Sequence, residues 1–173
     1  MKIYSICLLL LVFSACKQEA HSPVNMKESI HQLINQWHEA AGKADFKTYF
    51  DCMSPSAIFI GTDATEKWTR PEFEKFCKPY FDKGKAWNFK SLQREIYFND
   101  DSTIAWFDEL LSTQMKICRG SGVLVNTPSG WKIQHYVLSM TIPNEFTKEV
   151  TQLKTSIEDS VMSNLNTSTT EVH

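Results

Sequence analysis

The stretch "IFIGTDATEKW", residues 58–68, decides the fold of this chain. It begins as a buried strand with three apolar residues, breaks at Gly61 and resumes until Trp68. Two short apolar runs separated by a glycine-containing turn predict a hairpin. The turn carries Asp63, for which two interpretations stay open. It is either a turn residue that bonds its own backbone or a group at the lip of a ligand pocket.

Helical patterns flank the hairpin on both sides. Apolar residues recur at helical spacing over residues 25–42, and Asp45 is placed to cap a short second helix that Pro55 ends. After the hairpin, Thr69 begins a third helix, which Gly84 ends. The third helix carries a wide stripe formed by Phe73, Phe76, Cys77, Tyr80 and Phe81.

The second half of the chain has the two-residue period of β-strands. We predict four long strands at about 87–98, 102–113, 115–126 and 130–141. Long strands after a block of helices predict an α+β domain, with helices on one face of a curved antiparallel sheet. We assign residues 143–162 to a C-terminal helix and residues 163–173, rich in Ser and Thr, to a disordered tail.

The composition indicates one globular domain and excludes several partners. The 173 residues carry a formal net charge of −2, with Lys and Arg scattered, so we expect no nucleic-acid partner. The sequence has no metal-ligand spacing and no glycine-rich cofactor motif, so we expect neither a metal nor a cofactor. The mature domain has three cysteines, Cys52, Cys77 and Cys118, so at least one of them is a free thiol. We favour buried free thiols for all three, and a disulfide between two of them is the alternative.

The N-terminus resembles a bacterial lipoprotein signal. An apolar run too short to span a bilayer precedes "FSAC" at residues 13–16, which resembles a lipobox. The resemblance implies removal of residues 1–15, lipidation of Cys16 and a polar tether over residues 16–25. We therefore expect an exported domain held to a bacterial membrane by a lipid anchor only, facing the periplasm or the cell surface. The alternative is an ordinary signal peptide with an incidental Cys16.

The order of the elements resembles the SnoaL-like branch of the nuclear-transport-factor-2-like superfamily. The stretches that carry this resemblance are WHEAAGKADFKTYF (37–50), FIGTDATEKW (59–68), IAWFDELL (104–111), RGSGVLV (119–125) and WKIQHYVLS (131–139). The resemblance implies a domain over residues 26–142, shaped as a cone whose bent sheet wraps around the long first helix and leaves a cavity at its open end. It also implies a homodimer formed through the outer face of the sheet. Because the superfamily includes isomerases, cyclases, dehydratases and binding subunits, the resemblance assigns no chemistry.

Side-chain alternation brings an acid, an arginine and a histidine together in the predicted sheet. Trp106 and Asp108 share one face of their strand and Glu109 lies on the other, and both faces are largely apolar. Arg119 and His135 lie on the two following strands and can meet either acid. Such a group suits acid–base chemistry or an anionic ligand, and it equally suits a buried ion pair that only fixes strand register.

Four further residues are candidates for the pocket: His38, Asp63, Trp68 and Trp106. The tryptophans suit either a pocket wall or the core. His38 lies at the edge of the apolar face of the first helix. It either points into the expected cavity mouth or, as we favour, is a histidine at the surface or one hydrogen-bonded within the protein. Asp63 is an alternative base, because the related ketosteroid isomerase places a carboxylate in its cavity.

Three functions remain open at this point. The first, which we favour, is the binding of a small, mostly apolar molecule in the cone cavity. The second is a cofactor-free isomerase, cyclase or dehydratase that transfers a proton between a carboxylate and His135. The third is a dimeric interaction protein whose cavity is filled by its own side chains. The sequence does not decide whether the protein is an enzyme.

Overall fold

The computed structural model describes residues 23–170. Its elements in chain order are α1 (Pro23–Gly42), α2 (Phe46–Asp51), β1 (Met53–Ile60), β2 (Lys67–Thr69), α3 (Arg70–Asp82), β3 (Lys90–Phe98), β4 (Ile104–Thr113), β5 (Lys116–Thr127), β6 (Gly130–Met140) and α4 (Thr147–Thr170). The predicted signal peptide, Cys16 and most of the predicted tether lie outside the described residues.

The strands form one curved, open sheet in the order β2-β1-β6-β5-β4-β3. The predicted α+β class, with helices packed against a curved sheet, is confirmed. One pairing departs from the expected antiparallel pattern, because β1 runs parallel to β6 while every other neighbouring pair is antiparallel. Parallel neighbours need a long crossover, and the rest of the domain between β1 and β6 supplies it.

The core lies between α1 and the concave face of the sheet. Ile30, Ile34 and Trp37 on α1 are almost completely buried, and Trp37 meets Tyr136 of β6 with ring centroids 4.7 Å apart. Burying one large apolar side chain contributes about 1.5–3 kcal/mol, so this helix face alone stabilises the cone substantially. α1 therefore occupies the inside of the sheet, as the resemblance implied.

The short second helix begins as predicted but ends earlier. The Asp45 carboxylate accepts a hydrogen bond from the Thr48 backbone amide at 3.1 Å, which caps α2. Pro55 was expected to end this helix and instead lies within β1. The β1–β6 register shifts between Met53 and Ile58, so Pro55 sits where the ladder is irregular and its missing N–H costs little.

The wide stripe on α3 divides into a buried part and an exposed part. Thr69 and Glu72 form a capping box at the start of the helix. Phe73, Cys77 and Phe81 then face the core. Phe76 and Tyr80 belong to the same sequence stripe, but they are 38% and 48% exposed. The stripe is thus wider than the core requires, and its outer part faces solvent.

A β-bulge in β6 changes which of its side chains point inward. Leu124 of β5 lies opposite Ile133, whereas Val123 lies opposite His135, so Gln134 is an extra residue. Before the bulge Ile133 is buried, and after it the buried residue is Tyr136 rather than His135. Strict alternation along β6, which placed His135 on the face of Ile133, was therefore wrong.

The C-terminal helix α4 is longer than predicted. It continues through Thr170, into the segment expected to be disordered, and the last three residues lie outside the described part. Two residues of its narrow apolar stripe, Leu153 and Ile157, are 79% and 69% exposed. Within residues 23–170, every helix is too short or too polar to cross a bilayer.

The three cysteines of the described residues are buried and carry free thiols: Cys52, Cys77 and Cys118. Burial raises the pKa of the Cys52 thiol to about 11 and that of Cys77 still further. A thiol with a raised pKa is a poor nucleophile at neutral pH, so Cys52 and Cys77 serve as small core residues.

Candidate functional site

The acid, arginine and histidine that alternation brought together do not form a site. Asp108 and Arg119 point to the exposed outer face of the sheet, and His135 joins that face because of the bulge in β6. Among the described residues, no hydrogen bond or ion pair links these three side chains. Trp106 lies on the same outer face, 45% exposed and stacked on Tyr97 at 6.0 Å, so it does not line the cavity.

Asp63 is a turn residue. Its carboxylate accepts hydrogen bonds from the Thr65 amide at 2.9 Å and the Thr65 hydroxyl at 2.6 Å. These bonds favour the ionised form and lower the pKa of Asp63. The side chain is exposed and bonded within its own turn, as an Asp at the tip of a connection usually is.

The inner face of the sheet holds the cluster that the outer face lacks. Glu109 of β4 is 1% exposed, and its Oε2 accepts two hydrogen bonds from Arg94 of β3, from Nε at 3.0 Å and Nη2 at 2.8 Å. Its Oε1 accepts from His38 Nε2 at 2.8 Å and from the Tyr136 hydroxyl at 3.1 Å. We call Glu109, Arg94, His38 and Tyr136 the buried cluster.

The buried cluster also holds α1 onto the sheet. Arg94 Nη1 donates to Asn35 Oδ1 at 2.9 Å and to the His31 carbonyl oxygen at 3.4 Å. Asn35 and His38 lie three residues apart on one face of α1, so both can reach the same region of the sheet. Gly120 of β5 leaves room beneath the cluster, because a Cβ there would lie 2.2 Å from the Tyr136 hydroxyl.

Charge compensation keeps the buried carboxylate ionised. Burial acts to raise the pKa of Glu109, but the hydrogen bond and charge of His38 and the charge of Arg94 outweigh it and lower that pKa overall. An ionised carboxylate can only accept, so His38 Nε2 carries the proton in their shared bond. Burial and the negative charge of Glu109 raise the pKa of Tyr136 well above its ordinary value.

The buried cluster is chemically saturated. Four donated hydrogen bonds occupy both oxygens of Glu109, and the solvent-accessible part of this residue is negligible. A general base must reach the proton that it abstracts, within hydrogen-bonding distance or through one water. Glu109 is in no position to do so, and the cluster acts as a polar tie between α1, β3, β4 and β6.

Arg94 and Tyr136 were not identified from the sequence. A usable signal existed for Arg94, because it shares a face of β3 with the apolar Ile96 and Phe98. An arginine aligned with two core residues must find a carboxylate, and the neighbouring strand offers one at Glu109. Tyr136 had no such signal, since the bulge at Gln134 is invisible in the pattern of apolar residues.

A cavity of about 130 Å³ lies at the open end of the cone, between α3, β1, β2 and the β4–β5 turn. We call it the aromatic cavity, because half of its lining residues are aromatic. They are Phe59, Trp68, Phe73, Phe76, Trp87 and Phe89. Trp68, a pocket candidate from the sequence, forms part of this wall.

The aromatic walls of the cavity are well ordered by stacking. Phe59 and Phe73 stack with ring centroids 4.0 Å apart and planes inclined by 14°. Trp68 stacks on Phe73 at 5.6 Å and on Phe76 at 4.6 Å. Stacks of this kind fix the orientation of the rings that form the wall.

Three polar side chains also line the aromatic cavity: Thr62, Glu66 and Gln114. Glu66 is the one ionisable residue among the lining residues, and the sequence analysis did not identify it. Its Oε2 accepts from the Asp63 backbone amide at 3.2 Å. A Cβ at Gly61 would lie 2.2 Å from that oxygen, so the glycine of the opening stretch is needed for the close approach of Glu66.

One layer of side chains separates the aromatic cavity from the buried cluster. Phe59 and Phe89 line the cavity, and their ring centroids lie 5.6 Å from Tyr136 and 5.9 Å from His38 respectively. His38 instead borders a shallow surface depression beside Asn35 and Phe89. It is 4% exposed and hydrogen-bonded to Glu109, so of the two interpretations of His38 the structure has the favoured one, a histidine with its own partner, and not a group at the mouth of the aromatic cavity.

Residues 23–170 contain no group of three or more His, Cys, Asp or Glu side chains placed to hold a metal ion. The buried cluster resembles a metal site most closely, but it has only one carboxylate and one imidazole, and Arg94 takes the place of a cation beside the carboxylate. Its charge is already balanced by Arg94 at 2.8 Å.

Comparison with protein families and solved structures agrees with this architecture. The family model described as "SnoaL-like domain" matches residues 30–143. A domain of unknown function with a cystatin-like fold from Nostoc punctiforme is similar at a TM-score of 0.62 and 15% identity, covering 87% of this chain and 99% of that one. The search of curated proteins returned no match.

Two other similar structures carry the names of enzymes. A candidate dehydratase of the nuclear-transport-factor-2-like family from Streptomyces avermitilis has a TM-score of 0.60 at 15% identity, covering 70% of this chain and all of that one (100%). A candidate ketosteroid isomerase from Shewanella frigidimarina has a TM-score of 0.53 at 14% identity, covering 64% and 94%. At such low sequence identities the similarity shows a shared fold, and it does not show that the proteins share an activity.

Proposed function

The chain belongs to the SnoaL-like domain family, and from that premise we propose that it binds a small, flat, mostly apolar molecule in the aromatic cavity. The observation that carries this proposal is the cavity itself, open at the end of the cone and walled by stacked rings. A preformed apolar pocket with a few polar groups is the usual form of a small-molecule site.

The size of the aromatic cavity limits what it can enclose. An apolar cavity of about 150 Å³ in another protein accepts benzene, so a space of about 130 Å³ suits a single ring. A larger molecule would keep one ring inside and extend over Trp68 and Phe76 at the mouth. Thr62 and Gln114 supply hydrogen-bonding groups that could orient it.

A fluorescence titration tests whether the cavity binds such a molecule. N-phenylnaphthylamine is a neutral, apolar dye whose fluorescence increases in apolar sites. The wild-type protein should bind it, and the increase in fluorescence measures the binding. Met115→Trp places a large ring in the cavity wall and should remove most of the binding signal. Met140→Trp adds the same ring at an exposed site, 54% accessible, and should leave binding unchanged. Equal binding by both variants would contradict the proposal.

A second candidate function, proton-transfer catalysis without a cofactor, rests on Glu66. This carboxylate is the ionisable group in the cavity, whereas the carboxylate–histidine pair of Glu109 and His38 is sealed behind Phe59 and Phe89. Glu66 would therefore be the base. The names of the dehydratase and isomerase neighbours agree with such a reaction but belong to those proteins.

Glu66→Gln separates binding from catalysis. The wild-type protein and the variant would be purified from the same host, and their retained small molecules compared by native mass spectrometry and chromatography. An enzyme blocked at its base should retain a different molecule, its unconverted substrate. A binding protein should retain the same molecule in both forms, and that result would exclude catalysis by Glu66.

The outer face of the sheet supports a proposal of self-association. Large apolar residues are exposed there on adjacent strands, close to one another: Tyr97, Ile104 and Trp106. A monomer rarely leaves such a contiguous patch in water. We propose that a second copy of this chain covers it, in a dimer formed sheet to sheet.

We also propose export and lipid anchoring through Cys16. The support is the sequence pattern at residues 13–16 alone. Mass spectrometry of the protein isolated from membranes should find a mature chain that begins with an acylated Cys16. Cys16→Ala should release the protein from the membrane fraction, and a mature chain starting elsewhere would contradict the anchor.

A further inference from the structure

A positively charged groove adjoins the mouth of the aromatic cavity. It runs between the outer side of α3 and β2 and encloses about 620 Å³ of open space. Trp68 and Phe76 line both spaces, so the groove and the cavity lie side by side. We call this space the lysine groove, and its basic residues are Lys67, Lys75 and Lys83.

The spacing along α3 explains why the groove has this composition. Lys75 of α3 and Lys83, which follows the last residue of that helix, lie eight residues apart, about two helical turns, and Tyr80 lines the groove with them. Lys67 faces them from β2, next to Trp68. The exposed part of the α3 aromatic stripe therefore lies between lysines from two elements.

The three lysines have no acidic partners of their own. Some lysines of the chain pair with acids one turn away, as Lys43 does with Glu39 and Lys154 with Glu158. Lys67, Lys75 and Lys83 form no ion pair within residues 23–170. α3 has acids available, but Asp82 is bonded to Lys78 and Glu74 to Arg70.

Negative charge near the groove is outnumbered. Glu72 is the one carboxylate among the groove residues, and its Oε2 is held by the Thr69 amide at 2.9 Å and the Thr69 hydroxyl at 2.7 Å. The adjoining cavity adds Glu66. The lysines therefore leave a local positive charge on a chain whose formal net charge is −2.

The groove floor is a row of exposed rings. Trp68 and Phe76 stack at 4.6 Å, and Phe76 meets Tyr80 at 5.5 Å. Exposing two such rings on one helix costs hydration free energy that a polar residue would avoid, so a partner is expected to cover them. Flat rings bordered by lysines match a molecule that is apolar and planar on one side and acidic at its end.

We propose that the ligand of this protein is a small organic acid with a flat apolar body: a carboxylate, sulfonate or phosphate ester whose ring enters the aromatic cavity and whose acidic group lies among Lys67, Lys75 and Lys83. This inference rests on the proposed binding function and names its ligand class. A long polyanion fits less well, because the groove offers three lysines and the rest of the chain is net negative.

Two dyes that share one skeleton test the charge requirement. Anilinonaphthalene sulfonate carries a sulfonate, and N-phenylnaphthylamine has the same rings without it. Replacing all three lysines by Gln should weaken the binding of the sulfonate by about tenfold, since each exposed charge contributes modestly. The neutral dye should bind the triple variant as it binds the wild type. Added salt should weaken the binding of the sulfonate dye and leave the binding of the neutral dye unchanged, because salt screens exposed charges.

The control removes the same charge from distant exposed positions. A triple variant at Lys27, Lys148 and Lys154, also changed to Gln, should bind both dyes as the wild type does. Thermal unfolding of every variant checks that the fold is intact.

The outcomes separate this inference from the proposed function. If the sulfonate binds the groove variant as tightly as the wild type, or if both dyes weaken equally, the lysines do not recognise the acid and the inference is wrong while cavity binding stands. If the wild type binds neither dye, the proposed function fails and the inference fails with it.

Discussion

The two faces of the sheet carry the same three kinds of ionisable group in opposite states. On the outer face, Asp108, Arg119 and His135 are separate and reach solvent. On the inner face, Glu109 is bound to Arg94 at 2.8 Å and to His38 at 2.8 Å. Residue type alone therefore says little about a site. Burial determines whether an acid, a guanidinium and an imidazole must form hydrogen bonds and ion pairs with one another.

The physical cost of burial explains the difference. A charge on the outer face keeps its hydration and gains little from a partner. A charge on the inner face loses its hydration and persists only when hydrogen bonds and an opposite charge replace it. Asp108 and Glu109 are adjacent in the chain, so they provide a matched pair with which to test this explanation.

The largest expected effect is the loss of stability when Glu109 is truncated. Glu109→Ala leaves Arg94 buried without its carboxylate and should lower the free energy of unfolding by about 3–5 kcal/mol. Asp108→Ala, on the neighbouring residue, should change it by less than about 0.5 kcal/mol. Urea unfolding followed by tryptophan fluorescence measures both. Similar losses in the two variants would show that the faces do not differ as described.

The pH dependence of stability sharpens the same contrast. The pKa of Glu109 is lowered in the folded protein, so its contribution is complete above its ordinary value of 4.5 and is lost as the pH falls below that value. Glu109→Gln lacks this contribution. The stability difference between wild type and Glu109→Gln should therefore shrink on acidification through pH 4.5, measured by urea unfolding.

Asp108→Asn supplies the comparison for the pH experiment. At neutral pH it should be as stable as the wild type, because the exposed side chain forms no hydrogen bond or ion pair within residues 23–170. A wild-type advantage over Glu109→Gln that stays constant from neutral to acidic pH would overturn the role given to Glu109.

Alkaline pH should also reduce the stability that the buried cluster contributes, because Tyr136 then ionises. Burial and the charge of Glu109 raise the pKa of Tyr136 above its ordinary value of 10.0, so the stabilising protonated form is favoured below that pH. Its contribution is lost as the pH rises through the folded pKa. Tyr136→Phe should therefore lose less stability than the wild type above pH 10.0. Parallel curves for the two proteins would contradict this.

The smallest effect on stability is expected on the outer face, where assembly should change instead. Trp106→Glu places a charge in the exposed apolar patch and should convert the proposed dimer to a monomer, with little change in the free energy of unfolding. Leu153→Glu on α4, at a position that is 79% exposed, should leave the dimer intact. Sedimentation at matched concentrations distinguishes the two, and a monomeric wild type would refute the sheet-to-sheet contact.

The sequence predicts the fold better than the site, for a physical reason. Alternation shows that Asp108 and Glu109 point in opposite directions, and that result holds. Both faces of β4 are apolar, however, so alternation cannot show which one α1 covers. It also assumes a regular ladder, and the extra Gln134 in β6 moves His135 outward and Tyr136 inward.

The aromatic cavity illustrates a different limit. Phe73 and Phe76 belong to one stripe in the sequence, yet one is core and the other is 38% exposed. Their separation depends on where β2 packs against α3, which no local pattern specifies. Glu66 was missed because it looks like an ordinary strand residue, and its position depends on the missing side chain of Gly61.

Gly120 has an evolutionary consequence. A methyl group there would lie 2.2 Å from the Tyr136 hydroxyl and 3.0 Å from Glu109 Cγ, so position 120 cannot change while its neighbours stay as they are. Any descendant of this chain that fills position 120 must first shorten Tyr136 or give up Glu109. The three positions should therefore be inherited as a set.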